Sequence, residues 1–492
     1  MKAVTASMAA AARGLPVVLR CASAAARRVR YVLDSLFMAA DIPLVYVEVP
    51  PTSGPWLLHA AQPEAGPAGS RALFLPHDAQ AWEHFAGSSE VRVATKAGDL
   101  QLVLGRAMEV GATNAAVGCD LVVNAFYFLS SWAERRDSGT SSSRQLHATS
   151  EFVRLGVPQD IVDRYLSHLL DALRAHCACI GVPPWPAPEW PGGHSFAMVL
   201  SHDVDFLPVG PLDNLTQGAK TVLRHLLRHR DPGDAWRAAR GWLSAVARGR
   251  DPYGCVPQII QREEALGVRS SFQVAVGHRH PNDVNYHIES DSVRDYLRAI
   301  TDAGFDLCLH GSYRSAENPQ WYVEEVELLA RRLSRPQGSR QHFLSFDYDT
   351  LFAAQEQAGI QYDMSMGYPD SPGPRAGFSY PYFPYNLRED RPYRVLQISL
   401  FLMDVTLRGY LGLRPAAAKT VIDACLHELR DKRGCASALW HPIVFGGARD
   451  PGYDSLYYEM TRQISTMGGL GTDGHTVNTH WRERAARYSS FS

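Results

Sequence analysis

From residue 195 onward, short apolar runs of strand length alternate with longer stretches in which apolar residues recur every three or four positions. The short runs predict strands at 196–202, 269–276, 305–310, 340–346, 360–365, 394–403 and 436–441. The longer stretches predict helices near 255–267, 290–304, 319–334, 349–359 and 415–433. Strands that alternate with helices pair in parallel, as an open sheet or an α/β barrel. In both, reactive groups gather at the carboxyl ends of the strands.

The first part of the chain has a different texture. Between 26 and 118, an amphipathic segment from Val29 to Ala40 is mixed with strand-like runs at Pro43–Val49, Arg71–Leu75 and Leu100–Leu104. Pro, Gly and Ser separate these runs, which predicts a small α/β unit. Residues 119–180 read as helical, clearest from Ile161 to His176, with the polar stretch Asp137–Arg144 as a surface loop. Five prolines between 181 and 191 exclude regular structure there. The expected organisation is therefore a poorly ordered leader at 1–25, an N-terminal α/β domain with a helical segment at 26–180, a Pro-rich linker at 181–194, an α/β barrel at 195–480 and a tail at 481–492.

Composition narrows the class. The chain has 492 residues with 46% hydrophobic and 20% charged content, which is globular. A net charge of -2 gives no reason to expect nucleic acid as a partner. Eight scattered cysteines include no Cys-x-x-Cys pair, so neither a zinc knuckle nor a disulfide framework is expected. Cys177 and Cys179 read as two buried thiols in a helix. Arg13 and Arg20 interrupt the Ala-rich start, which fits a signal peptide poorly. No run approaches eighteen apolar residues. A cytoplasmic location and no membrane span are the expectations.

The candidate chemistry sits at the strand ends. The first strand ends in His202-Asp203-Val204-Asp205. Residues two apart in a strand share a face, so Asp203 and Asp205 can enter one cavity, one to bind a cation and the other to take a proton from water. Later strands carry His310, Asp363, Asp404 and His441 at or near their ends, and the fourth begins at Arg340-Gln-His342, so several strands deliver His, Asp or Arg to one face. Two Asp, two or three His and an Arg suffice for metal-assisted hydrolysis.

The order Ser201-His-Asp-Val-Asp205, Arg269-Ser-Ser-Phe-Gln-Val274, Leu309-His-Gly-Ser312, Arg340-Gln-His342 and Leu439-Trp-His-Pro442 resembles the polysaccharide deacetylases, the NodB-homology enzymes of carbohydrate esterase family 4. Asp251-Pro-Tyr253, Gly277-His-Arg-His-Pro281 and Tyr362-Asp-Met-Ser-Met-Gly-Tyr368 are similar to a bacterial subgroup with an α/β domain ahead of the deacetylase module. The resemblance covers residues 195–480. It implies a distorted barrel of seven β/α units, a divalent metal (zinc, or cobalt or nickel) and removal of acetyl from an N-acetyl sugar. By the same resemblance, Asp203 is the base, Asp205 and His310 bind metal, Arg340 orients the base and His441 is the general acid. Asp404 is preferred over Asp363 as the group that orients His441.

One position departs from that pattern. The family's second metal histidine would fall at Arg314, and an arginine is not a metal ligand. His342 is expected to replace it; the alternatives are His202, which is out of phase with Asp203 and Asp205, a weaker site of Asp205, His310 and waters, and loss of the metal. Arg375, in the aromatic stretch Gly373–Tyr385, and Tyr313 and Arg314 after the third strand are the expected substrate contacts. His278 and His280 are further candidates for the cavity wall, and the basic segment Lys220–Arg230 reads as a solvated helix face or a cover for the site. The function expected is metal-dependent removal of N-acetyl groups from an amino-sugar glycan or glycan precursor. The alternatives are a non-catalytic glycan-binding barrel and a hydrolase of a non-sugar amide.

Overall fold

The computed structural model describes residues 14–491, apart from 65, 68, 69, 71, 87–94, 98, 108–116, 138–145, 209, 210, 228, 229, 250, 254 and 346. Most of the polar stretch Asp137–Arg144 thus lies outside the described residues.

The N-terminal part is a parallel four-stranded sheet built from β1 (Leu15–Arg20), β2 (Leu44–Tyr46), β3 (Trp56–Ala60) and β4 (Ala72–Pro76), in the order β2-β1-β3-β4. β1 is central, and its Leu15, Val17 and Val18 are fully buried. The expected leader at 1–25 is corrected accordingly: the apolar run Leu15-Pro-Val-Val-Leu19 has hidden faces to fill and joins the core. Helices Ser23–Ala39, Leu121–Leu129 and Ile161–Cys179 add their apolar sides to that core. Cys177 is buried there, but Cys179, on the other side of the last turn, is exposed.

After the linker, nine strands form one sheet in which every pairing is parallel. They are β5 (Phe196–Val204), β6 (Ser271–Val274), β7 (Asp306–Gly311), β8 (Gly338–Gln341), β9 (Tyr362–Asp363), β10 (Leu396–Gln397), β11 (Leu400–Met403), β12 (Cys435–Leu439) and β13 (Gly469–Thr472). Their order is β10-β9-β8-β7-β6-β5-β12-β11, with β13 beside the first half of β5. β10 and β11, at opposite ends of this order, belong to one continuous segment. Ile398 N donates to Asp363 O (2.9 Å) on one side, and Ser399 O accepts from Ser437 N (2.8 Å) on the other. The result is an α/β fold with a curled, barrel-like parallel sheet.

β5 is buried along all nine residues, as a strand covered on both faces must be. Around the outside run the expected helices, at Val256–Leu266, Asp291–Asp302, Pro319–Arg332, Tyr348–Ala358 and Pro415–Lys432. The periodicity reading missed helices Pro232–Ala247, Tyr453–Thr466 and Gly474–Ala485. The last of these corrects the tail expected at 481–492: Trp481 and Tyr488 are buried, and Tyr488 Oη donates to Phe37 O (3.1 Å).

Candidate active site

β5 sets the geometry by its two-residue period. Ser201 and Asp203 turn to the inside of the curled sheet, and Asp205, just past the strand end, continues that side. His202 turns the other way, fully buried, with Nδ1 on Trp440 O (2.7 Å) and Nε2 on Glu263 (3.0 Å). His202 is thereby withdrawn as a candidate ligand.

Arg340, on β8, is fully buried. Its Nη1 donates to Asp203 Oδ1 (2.7 Å), Nη2 to Ser201 Oγ (2.9 Å) and Nε to Met364 O (3.0 Å). A buried guanidinium is tolerated when its donors are matched in this way. The Gln273 amide on β6, with its nitrogen facing β5, adds a hydrogen bond to Asp203 Oδ1 at 3.1 Å. Gln273 lies inside the Arg269–Val274 run, but nothing in the local pattern marks it.

His310 is next to Arg340 in the β7/β8 register. Its Nδ1 lies 2.9 Å from Arg340 O, and because a carbonyl only accepts, Nδ1 carries the proton. Nε2 then points at Asp205 Oδ1, 3.0 Å away. Gly311, which follows, leaves room for Gln341; a Cβ there would meet Gln341 Oε1 at 2.2 Å. His342 Nε2 lies 3.7 Å from the same Asp205 oxygen. It is aimed there by an unusual turn: Phe343 (φ 61°) and Leu344 (φ 54°) are both in the left-handed region, which non-glycine residues seldom enter. Strained backbone of this kind persists where surrounding structure enforces it, commonly at functional sites.

One ligand atom from each of Asp205, His310 and His342 lies within 4.8 Å of the others, which a single cation can bridge. Asp205 Oδ1 and His310 Nε2 are buried and face each other at 3.0 Å, with no other hydrogen-bond partner. In the neutral imidazole they are two lone pairs face to face, an arrangement that a cation between them resolves. Burial opposes ionisation of Asp205, but His342, His310 and His441 together hold its carboxyl well below the usual carboxylate range. Burial pushes His342 down to about 4, against the pull of Asp205, so its imidazole is neutral and free to ligate. Burial also disfavours charge on His310, but Asp203 and Asp205 outweigh it and raise its pKa.

His441, after β12, faces the same centre, with Nε2 at 3.4 Å from Asp205 Oδ2. Asp404, after β11, holds it: Oδ1 is 2.7 Å from Nδ1, and Oδ2 accepts from the His441 backbone N–H at 3.1 Å. Burial would lower the pKa of His441, but Asp404, then Asp205 and Asp203, lift it to about 9. Asp363 stays within the sheet, accepting from Ser365 and Gln355.

A cleft of about 500 Å³ opens over this centre, with Asp203, Asp205, His342, Asp404 and His441 in its wall. Phe343, Asn282 and Asp283 also line it, and none of the three stood out in the sequence. The expected substrate contacts are not in that wall. Arg375 is buried elsewhere, its Nη2 3.0 Å from Glu134 of the N-terminal part. The aromatic stretch around it, including Phe378, Tyr382 and Tyr385, packs into the core, which corrects its expected role. Arg314 is exposed. Tyr313 is half-buried, stacked on His280 (centroids 4.5 Å) and edge-on to Phe343 (5.4 Å). His278 packs against His287 (4.0 Å) rather than entering the cleft.

No protein-family model and no curated protein matches the chain. Among solved structures, one described as a polysaccharide deacetylase from Mycobacterium smegmatis aligns at 17% identity and a TM-score of 0.41, over 61% of this chain and 95% of that one. Another, described as a fructose-1,6-bisphosphate aldolase from Coccidioides immitis, aligns at 13% identity and a TM-score of 0.25, over 68% of this chain and 98% of that one. Likenesses this weak leave the functional reading to the geometry of the cleft.

Proposed function

We propose that the protein is a metal-dependent amide hydrolase on a distorted (β/α)7 barrel, which removes N-acetyl groups from an amino sugar in a glycan or glycan precursor. The observation that supports this best is the meeting of Asp205, His310 and His342, with buried Asp205 Oδ1 and His310 Nε2 facing each other and no third partner. One carboxylate and two imidazoles suit zinc, with cobalt or nickel as substitutes. Those three residues would hold the ion, which when bound supplies a Lewis acid to polarise the amide carbonyl.

The chain's own groups supply the rest. Asp203 takes a proton from the attacking water, its carboxylate fixed by Arg340. His441, charged at neutral pH, gives the Nε2 proton to the departing nitrogen, while Asp404 keeps the ring in place through Nδ1. The products are acetate and a free amino sugar. A non-catalytic glycan-binding barrel was suggested by Arg314; His342 beside His310 and Asp205 weakens that alternative.

The test uses purified full-length protein. It is expected to carry one zinc, cobalt or nickel ion per chain, lost in His342→Ala, and to release acetate from N-acetylated sugars. Asp203→Asn is expected to lower the rate by roughly 10²–10⁴-fold with an unchanged circular dichroism spectrum. Protein that binds none of these metals, or Asp203→Asn protein with full activity, overturns the proposal.

A further inference from the structure

Two helices, Pro211–Leu227 and Pro232–Ala247, pack against one another beside the cleft, with Trp242 Nε1 donating to Asn214 O at 3.1 Å. A surface helix normally turns its apolar stripe to the core. The first helix does the reverse. Leu212, Leu215, Leu223, Leu226 and Leu227, which follow one another at helical spacing, face solvent, with Leu212 73% and Leu227 69% exposed. Its inner side is polar instead: Thr221 and His225 are buried, and Arg224 reaches Asp450 at 3.2 Å. The second helix, packed beside it, also exposes Trp236 (68%), Leu243 and Val246. Eight of the fourteen exposed large hydrophobic residues among those described lie on this hairpin. An apolar surface so concentrated marks an interaction site.

The charges on that face identify what covers it. Among the described residues from 212 to 248, the exposed charged ones are Lys220, Arg230, Arg237, Arg240 and Arg248, all basic. Asp213, Asp231 and Asp234 are half-buried or buried. A second copy would bring five cations against the same five in a two-fold interface, where like charges repel. Leucines and a tryptophan rimmed by Lys and Arg suit a bilayer with anionic headgroups, where the apolar side chains enter the acyl boundary and the cations meet phosphates. We propose that this hairpin docks the protein on an anionic phospholipid surface. Gln217 and Arg224, on the inner side of the first helix, line the cleft, so that helix lies between the cleft wall and the docking face.

Flotation with vesicles, without any sugar substrate, tests this independently of hydrolysis. The full chain is expected to float with phosphatidylglycerol–phosphatidylcholine vesicles at low salt. Binding is expected to fall by roughly tenfold or more with pure phosphatidylcholine or at about 0.5 M salt. Leu215→Glu with Leu223→Glu changes only exposed positions, so the fold should persist by circular dichroism while binding falls by roughly tenfold or more. A Lys220→Glu, Arg240→Glu pair should lose binding to the anionic vesicles alone. Absence of flotation by the wild-type chain, or equal flotation by the leucine variant, overturns the proposal. So does a dimer in solution that the leucine variant abolishes without any vesicle binding, which would assign the face to a second copy.

Discussion

Ser201, Asp203 and Asp205 share one side of β5 while His202 takes the other, and this alternation decides which polar groups meet. Four of the groups at this centre, Asp205, His310, His342 and His441, are then tuned by burial and by their neighbours. His441 owes its raised pKa of about 9, reached against burial, first to Asp404. Asp404→Asn removes that negative charge, so the folded imidazolium loses its main support and its pKa falls. In the proposed mechanism His441 gives up a proton and so must be charged, which makes activity fall as pH rises through this pKa, and the alkaline limb of the kcat/KM profile should move to lower pH in the variant. A limb that stays in place would show that another group donates the proton. The candidate ligands were legible one at a time, but the choice between His342 and His202 was made by facing direction. The turn at Phe343 and Leu344 that aims His342 has no signature in residue type, since both side chains disfavour positive φ.

At the level of elements, the helices around the curled sheet were readable because their apolar residues recur at 3.6-residue spacing and their ends carry local signals. Asn318 and Asp347 cap two of them, and Gly359 closes the second in the left-handed conformation. In the hairpin 211–247 the leucines have the same spacing, but that spacing does not say which way the stripe faces. Helix Pro319–Arg332 carries a buried carboxylate, Glu325, which accepts from the backbone N–H (3.0 Å) and hydroxyl (2.5 Å) of Ser312 in the loop after β7. Burial raises its pKa from 4.5 to about 7, with the Ser312 hydrogen bonds opposing. A carboxyl with a folded pKa above its unfolded one stabilises most below about 4.5, and that contribution is lost as pH rises through about 7. The loss approaches about 3 kcal/mol at roughly 1.4 kcal/mol per decade. Denaturant unfolding at pH 5 and pH 8 should therefore show a drop in stability that Glu325→Gln flattens; an equal drop in the variant would assign the dependence elsewhere.

Over the whole molecule, the N-terminal sheet and the curled sheet are joined by buried polar contacts between distant parts of the chain. Glu134 pairs with Arg375, Asp163 accepts from Ser379 N (2.9 Å), and Tyr31 Oη donates to Phe383 O (2.8 Å). Removing one member of a buried ion pair leaves the other charge desolvated, so Glu134→Ala should cost about 3–5 kcal/mol in denaturant unfolding. Replacing both, as Glu134→Gln with Arg375→Met, should recover much of that loss. A single variant as stable as wild type would show that the pair is solvated in solution. The aromatic stretch around Arg375 belongs to this junction, and its composition alone did not distinguish packing from sugar binding.

Local pattern by itself determined the alternation of strands and helices, the side of β5 that carries Asp203 and Asp205, and the strand ends that bear His310 and His441, because periodicity and strand polarity are properties of neighbouring residues; that Arg340 lies near the end of β8 rather than opening a strand came from the structure. Only the tertiary structure decided which of these groups meet, that Arg375 binds Glu134 instead of lining the cleft, that residues 15–20 form a central strand, and that a leucine stripe points outward. Each of those depends on what packs opposite a residue from far along the chain, and that partner leaves no mark on the local pattern.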